Sequence, residues 1–286
     1  PWCLVFGALI SPTDPIAVLG IMKAAGAPKD LEIKVIGESL FNDGVGVVLF
    51  TVLVGLATAG AGIDAGSVAT LLGQEVLGGL LLGLAIGALT ERALRSLDEA
   101  NLEVLLTMAA VFAIGLIAPR LHLSAPLAAV AAGLLIGNRG RTRAMSATTQ
   151  NALDTVWTFL DEALNAVLFL LIGVEVFAID YSRADYLWAA AFAIPLVLLA
   201  RLVSVAVPLQ PLRHRAAIGS GAVRVLTWGG LKGGISIALA MKTPEFDGRN
   251  AVLTVTYAIV VFSIIVQGLT VGRLVRRVVA QRERTA

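Results

Sequence analysis

Apolar residues fall into nine blocks along the 286-residue chain, at roughly 1–22, 34–60, 66–90, 103–118, 123–137, 155–178, 186–208, 217–241 and 250–272. A helix that crosses a bilayer needs about 20 mostly apolar residues, so the pattern predicts nine membrane-spanning helices. The last block is the clearest, with no charge from Asn250 to Gly272. The fourth and fifth are short. Pro119 and Pro126 punctuate them, with Arg120 and Leu121 between, and they are read as two spans rather than one bent helix. Outer-membrane strands would give short alternating segments instead.

Composition narrows the class. The chain is 57% apolar and only 15% charged, against roughly 25% charged in soluble domains. Disordered chains are poor in apolar residues and rich in net charge, so disorder is excluded too. What remains is an all-α polytopic membrane protein, and 29 glycines suit it. One cysteine, Cys3, excludes an internal disulfide. Two histidines, His122 and His214, leave little for a metal site, and no cofactor is expected. A net charge of +2 gives no reason to expect a nucleic-acid partner.

Where the basic residues sit is more informative. With the loops numbered alternately, sixteen of the 22 Lys and Arg fall on one side. Arg120, Arg183, Lys242 and Arg249 fall on the other, and Arg201 and Lys232 lie inside spans. Positive charge marks the cytoplasmic side. The first span therefore enters from outside, and residues 276–286 form a short basic cytoplasmic tail. Merging the fourth and fifth spans would scramble this bias. The chain also opens abruptly, Pro1 and Trp2 running straight into an apolar block, and is expected to lack upstream spans.

An ionisable group at mid-bilayer costs about 2.5–3.5 kcal/mol on insertion scales, and each one is a functional hypothesis. The second span carries Glu38, Ser39, Asn42 and Asp43, followed by an uncharged run to Ile63. Glu38 lies above Asn42 on a helix, and Ser39 above Asp43. Glu38 and Asp43 are about 140° apart around the axis, so the two carboxylates serve different partners. The first span is interrupted by Ser11-Pro12-Thr13-Asp14-Pro15, where each proline removes a donor and disfavours helix at the residue before it. The eighth is interrupted by Gly229-Gly230-Leu231-Lys232-Gly233-Gly234, four glycines around one buried cation.

Unwound backbone at membrane depth is tolerated only where it lines a site. Two interrupted spans point to a secondary transporter built from inverted repeats. Arg201 is the other intramembrane cation, either snorkelling to the interface or supporting the core. Gln74-Glu75 and Asp161-Glu162 are read as helix-entry residues near an interface, although Glu75 also qualifies, less surely, as intramembrane. A channel would need rings of carbonyls or charges in an oligomer. An intramembrane enzyme would need a nucleophile and base, and neither histidine lies near a reactive serine. No enzyme is expected.

The strings from Ser11 to Val18 (SPTDPIAV) and from Gly37 to Phe50 (GESLFNDGVGVVLF) resemble the signature spans of the monovalent cation:proton antiporter family, sodium/proton exchanger branch. Supporting matches are Ala132 to Asn138, Asn165 to Gly173, Ala200-Arg201, and Thr227 to Ala240 (TWGGLKGGISIALA), in the family's order over almost the whole chain. The resemblance implies an antiporter fold of thirteen spans, of which these are the C-terminal nine, with two crossed discontinuous helices at Ser11–Pro15 and Gly229–Gly234. It implies an ion-translocating core, residues 1–60 and 186–275, moving against scaffold and dimerisation helices, residues 66–178, in a homodimer of the bacterial inner membrane.

On the same resemblance Asp43 binds cation and proton in turn, and Asn42, Ser39, Asp14 and the Thr13 carbonyl complete the cation site. Glu38 would form a structural ion pair with Lys232. Many relatives have Arg at that position, and Lys is a point charge rather than a bidentate fork. Asn42 is neutral where electrogenic relatives carry a second Asp, which implies an electroneutral exchange of sodium or lithium for protons. A potassium/proton antiporter, or another cation transporter or channel of the same fold, is the alternative.

Overall fold

The computed structural model describes the whole chain except residues 25, 28, 60–64, 98, 176–183, 211–219 and 284–286. Arg183, Arg213, Arg215 and Arg284 of the expected loops and tail lie outside the described residues. Among the described residues the chain is all-helical, with one isolated backbone bridge and no strand. The helices are α1 (Trp2–Ile10), α2 (Ile16–Ala24), α3 (Lys29–Ala59), α4 (Ala65–Leu94), α5 (Ala100–Arg120), α6 (Ala125–Leu135), α7 (Arg141–Arg143), α8 (Ala147–Glu175), α9 (Ala184–Leu209), α10 (Ser220–Trp228), α11 (Gly234–Met241), α12 (Arg249–Phe262) and α13 (Gly268–Glu283). Single π-helical turns, Ile136–Gly140 and Ser263–Gln267, join α6 to α7 and α12 to α13.

Each of the nine apolar blocks holds helix. Five helical stretches are long and apolar enough to cross a membrane: Lys29–Thr58, Val68–Leu94, Ala100–Arg120, Ala184–Leu209 and Arg249–Gln281. Others are shortened by breaks, and α8 carries Asp154, Asp161 and Glu162. Phe112, Leu170, Trp188, Phe192 and Leu269 are each about two-thirds or more exposed. Side faces this apolar require a hydrocarbon solvent.

The reading of Asp161-Glu162 as helix-entry residues needs correction. α8 starts at Ala147, so Asp161 lies about 21 Å along it, in mid-helix and exposed. Its backbone carbonyl accepts from Asn165 Nδ2 at 2.8 Å. Glu75 is also interior, in the eleventh position of a helix that starts at Ala65. It is half-buried, and its carbonyl accepts the Ser124 N–H at 3.2 Å.

The chain divides into two compact units, one of residues 1–2 and 44–171, the other of residues 3–43 and 172–286. In the first, α4 and α6 meet backbone to backbone. A Cβ added at Gly79, Gly83 or Gly87 would lie 2.8 Å from Ser124 O, 2.1 Å from Ala128 O and 2.9 Å from Ala132 Cα. Both rows are spaced by four and rise together, so the helices run parallel. Small residues permit this approach where lipid supplies no hydrophobic drive for helix association. Between them α5 returns the chain and ends in a turn with His122 left-handed at φ 53°. Ser124 then caps α6, accepting the Leu127 N–H at 3.3 Å, so α5 and α6 are separate helices.

In the second unit a buried aliphatic cluster joins α2, α3, α9, α10 and α13 through Val18, Met22, Leu31, Val205, Val225 and Val271, among others. This core joins α2 and α10, one half of each interrupted helix.

Candidate ion-binding site

The chain unwinds at both expected places. Helix stops at Ile10 and resumes at Ile16, and it stops again at Trp228 and resumes at Gly234. The two unwound segments touch: the Asp14 N–H donates to the Leu231 carbonyl at 2.7 Å, forming the lone antiparallel bridge. Glycines make this approach possible. A Cβ at Gly233 would lie 2.7 Å from Asp14 Cβ, and one at Gly230 would lie 2.5 Å from Arg201 Nε.

α3 brings Asp43, Asn42, Ser39 and Glu38 against the first break. The Thr13 N–H donates to Asp43 Oδ1 at 2.9 Å, and Asn42 Nδ2 donates to the Ser11 carbonyl at 2.7 Å. The Ser39 hydroxyl donates to the Thr13 carbonyl and lies 3.4 Å from Asp43 Oδ2. Thr13 Oγ1 donates to Ser39 Oγ at 3.3 Å. Thr13 and Ser39 are almost completely buried, whereas Asn42 and Asp43 are half-buried. Asp43, Ser39 and Thr13 thus gather carboxylate, hydroxyl and carbonyl oxygens on one side of α3, the donor type hard cations take. Asp14 is half-buried just ahead of α2, where an acid complements the helix dipole.

The expected Glu38–Lys232 ion pair is not formed. Glu38 instead accepts two hydrogen bonds from Arg201, Nη1 to Oε1 and Nη2 to Oε2, each 2.6 Å. Arg201 Nη2 also donates to the Leu226 carbonyl at 3.1 Å. The reason is geometric: a planar guanidinium matches both carboxylate oxygens at once, which an ammonium cannot do. Lys232 turns its ammonium to the end of α1, donating to the Ser11 carbonyl at 2.9 Å and the Pro12 carbonyl at 3.1 Å. A cation at a helix C-terminus answers both the dipole and the orphan carbonyls left by the break. Thr13, Ser39, Glu38 and Arg201 line a cavity of only about 10 Å³. That is about one water-sized sphere, so this side of the site is filled by its own side chains.

Several residues that hold the site escape a search for charge. The π-turn between α12 and α13 brings Ser263 and Gln267 together, the hydroxyl donating to Gln267 Oε1 at 2.7 Å. Ser263 Oγ accepts the Lys232 N–H at 2.8 Å, and Gln267 Nε2 donates to the Trp228 carbonyl at 3.0 Å. Trp228 Nε1 in turn donates to Thr270 Oγ1 at 2.8 Å. The second break is therefore pinned on both sides by one turn of a neighbouring helix. An amide in a stretch with no charge from Asn250 to Gly272 was the available signal.

The model of the transmembrane sodium/hydrogen exchanger family matches residues 2–277. The chain belongs to that family. It is 47% identical over 284 residues to the Na(+)/H(+) antiporter NhaP of Pseudomonas aeruginosa, covering 98% of this chain and 66% of the relative. To the Na(+)/H(+) antiporter NhaG of Bacillus atrophaeus it is 35% identical over 292 residues, covering 99% of this chain and 54% of the relative. To the Na(+)/H(+) antiporter NhaH of Halobacillus dabanensis it is 36% identical over 287 residues, covering 95% and 67%. The chain thus spans about half to two thirds of the length of these curated relatives. The family is one of membrane transporters rather than enzymes.

Proposed function

We propose that the protein exchanges sodium for protons across a bacterial inner membrane by alternating access, with Asp43 carrying the cation and the proton in turn. The observation that carries this reading is the placement of Asp43 where α3 meets the first break, one oxygen held by the Thr13 N–H. Its second oxygen lies beside the Ser39 hydroxyl. Discontinuous helices with ionisable groups at their breaks are the usual architecture of ion-coupled transporters. The three relatives, each named a Na(+)/H(+) antiporter, support the same substrate pair.

In this reading Asp43, Ser39, Thr13, Asn42 and Asp14 surround the cation, directly or by shaping its shell. Sodium and proton compete for one carboxylate, and the carboxylate crosses only when loaded. Asn42 adds no second charge and Arg201 neutralises Glu38, so the cycle is electroneutral. The two broken helices belong to inverted repeats and cross at Asp14 and Leu231. Residues 1–60 and 186–275 are the moving core, residues 66–178 the scaffold of a homodimer, and the C-terminus is cytoplasmic.

The deciding experiment replaces Asp43 by Asn in the full-length protein reconstituted into proteoliposomes. Sodium-driven proton movement is expected to disappear while the protein still inserts and folds. Retained exchange in Asp43→Asn overturns the reading. Sodium, lithium and potassium, offered separately to the wild type, identify the cargo. A rate that follows an imposed valinomycin potential would remove electroneutrality.

A further inference from the structure

Three arginines converge on one pocket beside the second break. Arg273 and Arg277 are four apart on α13, and Arg224 faces them from α10. The pocket has a volume of about 480 Å³. Its two walls are helical stripes, Thr270–Arg273–Leu274–Arg277 from α13 and Arg224–Thr227–Trp228 from α10, with Leu202 of α9 completing the floor. All three arginines are exposed, and among the described residues none has a carboxylate within ion-pair distance. The Thr227 hydroxyl is buried and has no hydrogen-bond partner among the described residues.

We propose that this pocket binds the headgroup of an anionic phospholipid. Charge selects the occupant. Three unpaired guanidiniums around one opening suit phosphate oxygens, which arginine grips in a bidentate manner. The apolar floor of Leu202 and Leu274 suits the glycerol and first acyl carbons, and it selects a lipid over a soluble anion. Basic pockets between spanning helices at the positively charged face of a membrane protein are where anionic headgroups settle. The three arginines belong to the basic side in the loop count, which places the pocket at the leaflet where such lipids meet it.

The pocket also touches the transport machinery. Trp228 lines it, donates to Thr270 across its floor, and ends α10 immediately before the unwound segment that holds Lys232. A headgroup there braces the end of α10. The binding itself is independent of whether the protein exchanges sodium, because it is read without transport.

The test is a titration of the purified full-length protein in mild detergent with dioleoyl phosphatidylglycerol, followed by native mass spectrometry. Dioleoyl phosphatidylcholine and inorganic phosphate are run as separate arms. The wild type is expected to retain phosphatidylglycerol selectively. Each arginine contributes about fivefold in affinity, so the combined Arg224→Gln, Arg273→Gln and Arg277→Gln variant should bind roughly a hundredfold more weakly. Arg277→Gln alone gives the fivefold loss should the triple variant not fold. Arg276→Gln, exposed on the same helix but outside the pocket, is expected to bind as the wild type does. Equal binding by the arginine variants overturns the proposal. So does equal retention of phosphatidylcholine, or displacement of the lipid by phosphate at matching concentration.

Discussion

Arg201 holds Glu38 across 163 residues of sequence through two parallel hydrogen bonds of 2.6 Å. The arginine side chain is 8% exposed and the glutamate 31%, so the pair is unequally buried. Removing the arginine strands a carboxylate and the Leu226 carbonyl that Arg201 also serves. Breaking such a pair from the buried side costs about 3–5 kcal/mol. Arg201→Ala is therefore expected to melt well below the wild type in detergent, and Glu38→Gln to lose stability as well, because it leaves the more buried guanidinium without its counter-charge. Arg201→Lys should recover only part of the loss, since one ammonium cannot replace the fork. The double variant should be less damaging than the sum of the two, and strict additivity in thermal unfolding would deny the coupling.

Lys232 has a different task from the one its position in the sequence suggested. Its ammonium serves the carbonyls of Ser11 and Pro12, which the first break leaves without helical partners. Lys232→Met keeps the volume and removes the donor. The Ser11 carbonyl keeps its hydrogen bond from Asn42 Nδ2, so it is the Pro12 carbonyl that loses its donor. Leaving a buried acceptor unpaired costs about 1–3 kcal/mol, and the expected outcome is a lower melting temperature with Glu38 and Arg201 still paired. A cysteine crosslink or spectroscopic distance between α3 and α9 that stays at its wild-type value checks the second half. Loss of that distance would return Lys232 to the ion pair.

The two breaks, and the acid beside one of them, were legible because proline and glycine state their effect locally. Pro12 and Pro15 stand three apart and leave no helical turn between them, whereas Pro195 and Pro208 stand singly inside α9 without ending it; a Gly-rich run around one lysine is unusual at membrane depth. The choice of partner for Glu38 was not legible. Arg201 and Lys232 are both intramembrane cations far away in sequence, and only the folded positions of α9 and the second break decide between them. Ser263 and Gln267 were missed for another reason. Uncharged polar residues barely alter the hydropathy of a span, yet buried ones must find partners, and theirs are the backbone of the second break. Asp161 was misplaced because the apolar block from 155 begins eight residues after its helix does, at Ala147.

Gln267 is then expected to matter for stability of the site. It donates to the Trp228 carbonyl and accepts from Ser263, whose oxygen takes the Lys232 N–H. Gln267→Leu removes both roles and should cost about 1–3 kcal/mol. Gln267→Glu sets an uncompensated carboxylate in this buried site, facing the Trp228 carbonyl, so at neutral pH it should melt no higher than Gln267→Leu. Hydrogen exchange localised to residues 228–232 should rise in Gln267→Leu, and unchanged protection there would show that the π-turn does not pin the break.

The α4–α6 contact gives a prediction free of chemistry. Gly83→Ala places a Cβ 2.1 Å from the Ala128 carbonyl oxygen, where only backbone can move aside. Overpacking of this kind costs about 1–3 kcal/mol. Gly73→Ala, on the same helix with nothing within 4 Å of its Cβ, is the control. It should be neutral or stabilising by up to about 1 kcal/mol through helix propensity. Equal melting temperatures for the two variants would contradict the close parallel packing.

On the proposed reading, Ser39 offers a way to tell cation binding from proton binding at Asp43. Its hydroxyl lies between the Thr13 carbonyl and Asp43 Oδ2 and is fully buried. In Ser39→Ala the carboxylate remains to take a proton, but one oxygen of the cation shell is gone. A neutral hydrogen-bonding group is worth about 0.5–1.5 kcal/mol, which converts to roughly a twofold to tenfold rise in the KM for sodium. The maximal rate at saturating sodium should stay near the wild-type value. Competition for one carboxylate also fixes how KM moves with pH. Where the proton dominates occupancy, each unit of acidification raises the apparent sodium KM by up to about tenfold, in both proteins alike. Exchange assayed in proteoliposomes at two pH values reads both effects. A sodium KM independent of pH would mean that cation and proton bind at separate groups, and Asp43 would lose its double role.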